Sequence, residues 1–322
     1  MAASILARAL GFALPLLAGL AALERAVEYG RAHAYVHQAG KINLAMQHRV
    51  SPEIAVFGAS NALVDFDAPL LERLLGETTY DYGIDGTPFV QYQALIRDFA
   101  ASSPRGGEVV LAETFMTFVG LDGIRNPDMW LPHVGAPAVY EVLHRIDPEL
   151  AWKARYVPFY PLIEADQDSY KAALRGYLSL LGRPPPDSQV QGYLAKDETW
   201  RPPAPGVAST VAEYPFDERV VPQFAEVIAL LNRAGKRVTV VVTPIEEDCL
   251  AALPYLDAHR DRLRSLVGAG EGNVFLDYTH HPIARDKAGF YNCGHLNRSG
   301  AAAFTRIFAA DLAALPPARG RR

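Results

Sequence analysis

The sequence predicts an α/β fold: a mostly parallel sheet of about five strands covered by helices on both faces, preceded by one apolar helix. Three observations predict it. Runs such as Ile54-Ala55-Val56-Phe57 and Val238-Thr239-Val240-Val241-Val242 are β-branched or aromatic without a polar face, as strands buried on both sides require. These runs alternate with longer stretches of helical periodicity, the signature of parallel strands joined by crossover helices. The run Ala9–Leu23 contains no charged or strongly polar residue.

Ala9–Leu23 is shorter than the ~20 residues a bilayer span needs. Extension back over residues 2–7, with the Arg8 side chain reaching to the interface, supplies the length. Three readings stay open: an uncleaved signal-anchor, a cleaved secretory signal and a buried helix of a soluble domain. The expectation carried forward is a single-pass anchor over residues 1–28 in the cytoplasmic (inner) membrane, with the remaining chain outside the cytoplasm. The flanks do not decide orientation, because Arg8 on one side is matched by Arg25 and Arg31 on the other.

Residues 29–50 read as a helical connector, ended by Ser51-Pro52. Residues 51–315 follow as the main domain. Its first strand is Glu53–Gly58. A helix over Asp67–Leu75 is announced by Asp67-Ala68-Pro69 and by leucines on one face. Thr78–Tyr82 is a strand, Phe89–Ala100 a helix and Glu108–Glu113 a strand. From about 116 to 215 the alternation is lost. This stretch holds Trp130, Trp152 and Trp200 together with proline clusters, and it is too long for a bare loop. It is expected to be an insertion, with a helix over Ser169–Leu181, that shapes a substrate cleft. The alternation then resumes: helix Val220–Ala234, strand Arg237–Thr243, helix Asp257–Val267, strand Asn273–Asp277, helix Ser299–Leu315, and a basic tail over 316–322.

A net charge of −5 and a pI near 6.0 provide no electrostatic footprint for nucleic acid, which is not an expected partner. Cys249 and Cys293 are compatible with one disulfide outside the cytoplasm and equally with two buried thiols. No cysteine or histidine pair has zinc-site spacing, so no metal is expected, and no organic cofactor either.

Sites in parallel α/β sheets form at the carboxyl ends of the strands. Ser60 follows the first strand, Gly83–Thr87 the second, Glu113–Thr117 the third, Pro244–Cys249 the fourth and the His295 loop the fifth. A serine hydroxyl is a weak nucleophile until an imidazole takes its proton, so Ser60 and His295 make chemical sense as a pair. His280-His281 and Glu246-Glu247-Asp248 read as loop residues, and Asp65 and Asp67 as a turn and a helix start.

These residues resemble the blocks of the SGNH (GDSL-like) hydrolases, whose sandwich is flavodoxin-like. Phe57-Gly58-Ala59-Ser60 resembles the first block, and Tyr82-Gly83-Ile84-Asp85-Gly86-Thr87 is similar to the second. Asn292-Cys293-Gly294-His295-Leu296-Asn297 with Gly300-Ala301 resembles the last, Asp-x-x-His-Leu-Asn-x-x-Gly-Ala. The resemblance implies Ser60 as nucleophile, His295 as general base, and the Ser60 and Gly86 N–H groups as oxyanion donors. Asn292 stands where the family has aspartate. Asn292 is expected to orient the imidazole, but an amide does not neutralise an imidazolium, so three outcomes stay open: a slow enzyme, a substitute carboxylate (Asp277 or Asp286 are nearest in sequence), or a site that no longer catalyses. The third block, Gly-x-Asn-Asp, has no asparagine counterpart at Glu113–Thr117.

With an N-terminal anchor the chain resembles the membrane-tethered branch, which includes the proteins of alginate-type exopolysaccharide O-acetylation and of D-alanyl transfer to teichoic acid. The implied function is transfer or hydrolysis of an acyl (acetyl) ester on a cell-envelope polysaccharide through a serine acyl-enzyme. An acyl donor and a glycan would be the substrates, and a membrane acyl-exporting protein a candidate partner. The rival reading from another class is a non-catalytic scaffold of a polysaccharide complex; a third is a plain esterase.

Overall fold

The computed structural model describes residues 2–104, 106–114, 117–163, 167–184, 186–202, 216–253, 256–268 and 272–316. The basic residues at the end of the chain lie outside them. The first half contains α1 (Ala2–Ala32), α2 (His37–Met46), β1 (Ile54–Gly58), α3 (Ser60–Asp65), α4 (Ala68–Leu75), β2 (Thr79–Asp81), α5 (Phe89–Ser102) and β3 (Glu108–Glu113). The irregular middle holds α6 (Pro127–Trp130), α7 (Pro137–Ile146), α8 (Pro148–Tyr156), α9 (Tyr160–Ile163), α10 (Gln167–Leu180) and the hairpin β4 (Gln189–Val190) and β5 (Tyr193–Leu194). Next come α11 (Val221–Arg233), β6 (Arg237–Val242), α12 (Leu256–Val267), β7 (Val274–Asp277), the short pair β8 (Phe290–Asn292) and β9 (His295–Leu296), and α13 (Arg298–Ala314).

All five anticipated strands form, and they pair in parallel in the order β2-β1-β3-β6-β7. The order switches direction between β1 and β3, and a crevice opens at the carboxyl edge of such a switch. Alternate strand residues feed two cores. Ala55, Phe57, Val109, Leu111, Val238 and Val240 pack under α5 and α11, where Phe89, Leu95, Phe224 and Leu231 are buried. Ile54, Val56, Val110, Ala112 and Val241 pack on the other face against Leu71 of α4 and Phe304, Phe308 and Leu312 of α13. Asp67 starts α4 as expected, accepting from Leu70 N at 2.9 Å.

The described residues of the insertion fall into several parts. Trp130 is buried in the core with Val139 and Leu143 of α7, and Trp152 stands half-exposed on α8. The apolar face of α7 packs on α5 and thickens that helical layer, α10 packs on α1, and Thr117 at the start of the insertion lines the cleft. Among the described residues, the part around Lys196–Arg201 borders the histidine loop: Arg298 N donates to Lys196 O (2.7 Å) and Arg201 N to Tyr291 O (3.1 Å).

The N-terminus differs in detail. No break separates anchor from connector: α1 runs unbroken to Ala32, with Pro15 inside it, and the connector contributes the separate α2. Leu10–Ala32 is long and apolar enough to cross a membrane, with mean hydropathy 1.6 and 6% of its best window buried. Its C-terminal end packs on α10 through glycines. A Cβ on Gly30 would lie 2.6 Å from Ala173 O, and one on Gly176 would collide with Gly30 O. Gly176→Ala is therefore expected to cost about 1–3 kcal/mol of stability, measured as a lowered denaturation midpoint.

Candidate active site

β1 hands over to α3 within two residues. A Cβ on Gly58 would sit 2.6 Å from Ala112 O and 2.9 Å from the Ala62 methyl, so only hydrogen fits there. Ala59 turns the chain (φ −85°, ψ −142°) and Ser60 opens α3. In the first turn of a helix the Ser60 N–H has no intrahelical acceptor and is available to a ligand. The loop after β2 closes over this position. Gly83 packs directly on Ala62 and Leu63 N, and Gly86 takes φ +62°, a left-handed conformation that favours glycine. Ser60, Gly86, Thr87, Phe89, Tyr92 and Glu113 line a small cleft with about 30 Å³ of free volume. That is room for about two water-sized groups.

His295 completes the arrangement from the opposite end of the chain. Its Nε2 lies 2.7 Å from Ser60 Oγ and its Nδ1 2.8 Å from Asn292 Oδ1. The tautomer follows from a third contact. Asn292 Oδ1 also accepts from Gly294 N at 3.1 Å, so the amide oxygen, not its NH₂, faces the ring. Nδ1 therefore carries the hydrogen, and Nε2 is left as the acceptor for the Ser60 hydroxyl. Burial pulls the His295 pKa from its ordinary 6.5 to about 4; Asp85 opposes this fall and Lys196 adds to it. The Tyr291 ring stacks on the imidazole at 5.5 Å between centroids.

Neither anticipated substitute carboxylate serves the histidine. Asp277 Oδ2 accepts from Arg260 Nε at 2.7 Å, and Asp286 caps a short turn by accepting from Ala288 N at 3.1 Å. Both point to partners in their own neighbourhood, which leaves Asn292 as the imidazole's support.

Three supports of the site come from the fold, of which the sequence reading left the disulfide open and missed the other two. Asp65 is not a turn residue. It ends α3 fully buried and accepts from Leu296 N at 2.8 Å, and burial pushes its carboxyl well above the usual range. Beside it, Asn61 donates to Gly294 O (2.8 Å) and to Thr243 Oγ1 (3.0 Å). The helix that begins with Ser60 thus grips the loop that carries His295. The second support is a disulfide between Cys249 and Cys293, Cα atoms 5.7 Å apart, which ties the same loop to the segment after β6. The third lies under the Gly83–Gly86 loop. Lys41 of α2 is buried, donates to Gly83 O at 2.6 Å and stands 3.7 Å from buried Asp81, which in turn accepts from Gly83 N at 2.6 Å. Burial lowers the Lys41 pKa to about 8 and raises that of Asp81 to about 7.

Glu113 ends β3 at the base of the cleft. It accepts from Tyr92 OH (2.6 Å) and Thr117 Oγ1 (2.7 Å), and burial raises its pKa from 4.5 to about 7. A carboxyl whose folded-state pKa is raised adds stability below its unfolded pKa and loses that contribution as pH rises through the folded value. Wild-type stability relative to Glu113→Gln should therefore fall between about pH 4.5 and 7, as denaturant titrations at several pH values would show.

Two further polar clusters, 246–248 and 280–281, have partners of their own. Lys287 lies 2.5 Å from Asp248 and 3.7 Å from Glu246, and Arg285 lies 3.2 Å from Glu247. His281 accepts from Ile283 N at 3.3 Å. Among the described residues no group of three or more His, Cys, Asp or Glu side chains could hold a metal ion.

No family model matches the chain. No curated protein matches it. Among solved structures it is similar to a chain described as "a putative platelet activating factor" from Streptococcus pneumonia, at 14% identity and TM-score 0.36, covering 94% of this chain and 99% of that one. The functional reading therefore rests on the geometry of the site.

Proposed function

We propose that this protein is a serine-dependent acyltransferase or esterase acting on a short acyl ester, with a cell-envelope polysaccharide as acyl acceptor or substrate. The observation that carries the reading is the relay Ser60 Oγ–His295 Nε2 and His295 Nδ1–Asn292 Oδ1, with the tautomer set for proton acceptance. Ser60 Oγ attacks the ester carbonyl as its proton passes to His295 Nε2. The Ser60 and Gly86 amides stabilise the oxyanion, and the imidazolium returns the proton to the departing alcohol. A sugar hydroxyl or water, deprotonated by the same imidazole, then resolves the acyl-enzyme.

The small cleft supports an acetyl-sized acyl group. The glycan is supported by the resemblance to the tethered branch, which the N-terminal apolar helix adds to the SGNH-like blocks. A helix long enough to hold the domain at a membrane surface and a disulfide typical of oxidising compartments agree with that setting.

The test is acyl-enzyme formation by the full chain with p-nitrophenyl acetate, followed by intact mass and burst kinetics against Ser60→Ala. An acetyl adduct that requires Ser60 supports the proposal. Folded protein that forms no adduct and shows no Ser60-dependent turnover removes it, and leaves the non-catalytic scaffold. Gly86→Ala forces a Cβ into the left-handed region and displaces one oxyanion donor. It should lower kcat about 10–100-fold with little change in KM, measured with the same ester.

A further inference from the structure

We propose that the surface formed by the end of α8, α9 and the start of α10 is a second membrane contact, seated in the headgroup layer of the bilayer that α1 enters. The inference rests on the reading of α1 as a membrane span and goes beyond the proposed chemistry.

The height of this surface follows from one hydrogen bond and a length. Of α1, the part before Glu24, Ala2–Leu23 with Arg8 as its one charged residue, is taken as the embedded part in place of the full apolar window Leu10–Ala32; at 1.5 Å per residue it is about 33 Å long, close to the ~30 Å hydrocarbon thickness of a bilayer. Glu24 is the first charged residue after that run, so the hydrocarbon boundary falls beside it. Glu24 Oε1 accepts from Phe159 N at 3.0 Å, which holds the α8–α9 turn at the boundary.

The composition at that height is interfacial. Trp152, Tyr156, Ile163 and Tyr170 are 48%, 53%, 75% and 45% exposed, an unusual set of large apolar side chains to leave in water. Tryptophan and tyrosine favour the headgroup layer because their rings are apolar and their N–H and O–H groups are not. Cations stand among them: Arg155 lies 4.3 Å from the Tyr140 ring centre and 5.5 Å from that of Tyr156, and Lys153 lies 5.8 Å from Tyr160. Basic side chains at this level complement anionic headgroups.

α10 then climbs away from the boundary in the same direction as α1. Contacts of α10 and its flanks advance along the chain: Phe159, before α10, at Glu24; Ala173 and Gly176 of α10 at Gly30; and Asp187, beyond α10, at His37. Leu181, 74% exposed just beyond α10, therefore stands clear of the proposed contact. A span and a lateral foot together fix the tilt of the domain, and with it the height at which the Ser60 cleft faces its substrates.

Because Cys249 and Cys293 are paired, an introduced cysteine is the single labelling site. The full chain carrying Leu16→Cys, Ile163→Cys or Leu181→Cys, each labelled with bimane, would be reconstituted into phosphatidylcholine–phosphatidylglycerol vesicles containing nitroxide lipids. The expected result is quenching of the Leu16 label by mid-chain nitroxide. The Ile163 label should be quenched at least about twofold by headgroup-level nitroxide, and the Leu181 label should stay in water. An Ile163 label as wet as the Leu181 label, with the Leu16 label quenched, overturns the foot, including the case in which another membrane protein covers that surface. An unquenched Leu16 label instead overturns the membrane-span reading itself, and the foot with it.

Discussion

His295→Ala is expected to lower acyl-enzyme turnover by about 10⁴–10⁶ without unfolding the protein. The ring is held by two hydrogen bonds and one stacking contact, and the loop around it is gripped independently by Asp65, Asn61 and the disulfide. On the proposed mechanism, removing the imidazole leaves Ser60 with no group to take its proton, while the proposed oxyanion donors remain. Residual activity should therefore be set by binding and the oxyanion hole alone. If nucleophile and base act as one unit, as proposed, the double variant Ser60→Ala/His295→Ala should be no slower than either single variant. Steady-state rates on p-nitrophenyl acetate, with circular dichroism to verify the fold, decide it. A His295→Ala enzyme within tenfold of wild type would end the acyl-enzyme reading.

Asn292→Asp should raise kcat/KM by roughly 10² and move its acid limb upward. In the wild type, burial holds His295 near pKa 4, so the imidazole is neutral and able to accept a proton at all higher pH, and the acid limb lies low. The cost appears in the transition state, where the imidazolium forms without an adjacent anion. A carboxylate at 292 favours that cation, so the same change raises the histidine's pKa and lowers the barrier. The gain should fall short of the ~10⁴ that separates carboxylate from amide in serine proteases, because part of that figure is a wrong tautomer. Here Gly294 N–H already turns the amide oxygen toward the ring. A pH–rate profile of both proteins measures limb and plateau together. An unshifted limb with no gain in rate would mean that residue 292 does not govern the imidazole's charge.

Much of the sheet was legible because a strand buried on both faces cannot hide its composition. β1, β3 and β6 are apolar runs between turn residues, and each sits where that pattern placed it. Ser60 stood out for a related reason: only small residues allow a strand to turn into a helix within two residues. Asn292 was visible as a departure from a motif, but which way its amide pointed was not. That depended on the Gly294 N–H, a contact formed only when the loop is folded.

What supports the site was hidden because its partners are remote in sequence. Lys41 reads as one more polar residue of a helical connector until the fold carries it to Asp81 and Gly83. Asp65 reads as a turn until Leu296 arrives from 231 residues away. Trp130 and Trp152 carry the same chemistry, and only the packing of α7 on α5 sends one into the core and the other to the surface.

The sequence by itself determined the layered fold, the apolar start, and the two residues whose chemistry is complementary, because periodicity and residue type are local properties. The tertiary structure alone decided between the alternatives left open: that Cys249 pairs with Cys293, that Asp277 belongs to Arg260, and that no carboxylate displaces Asn292 behind His295. Those outcomes depend on distances between segments, which are set when the chain packs and leave no periodic trace along it.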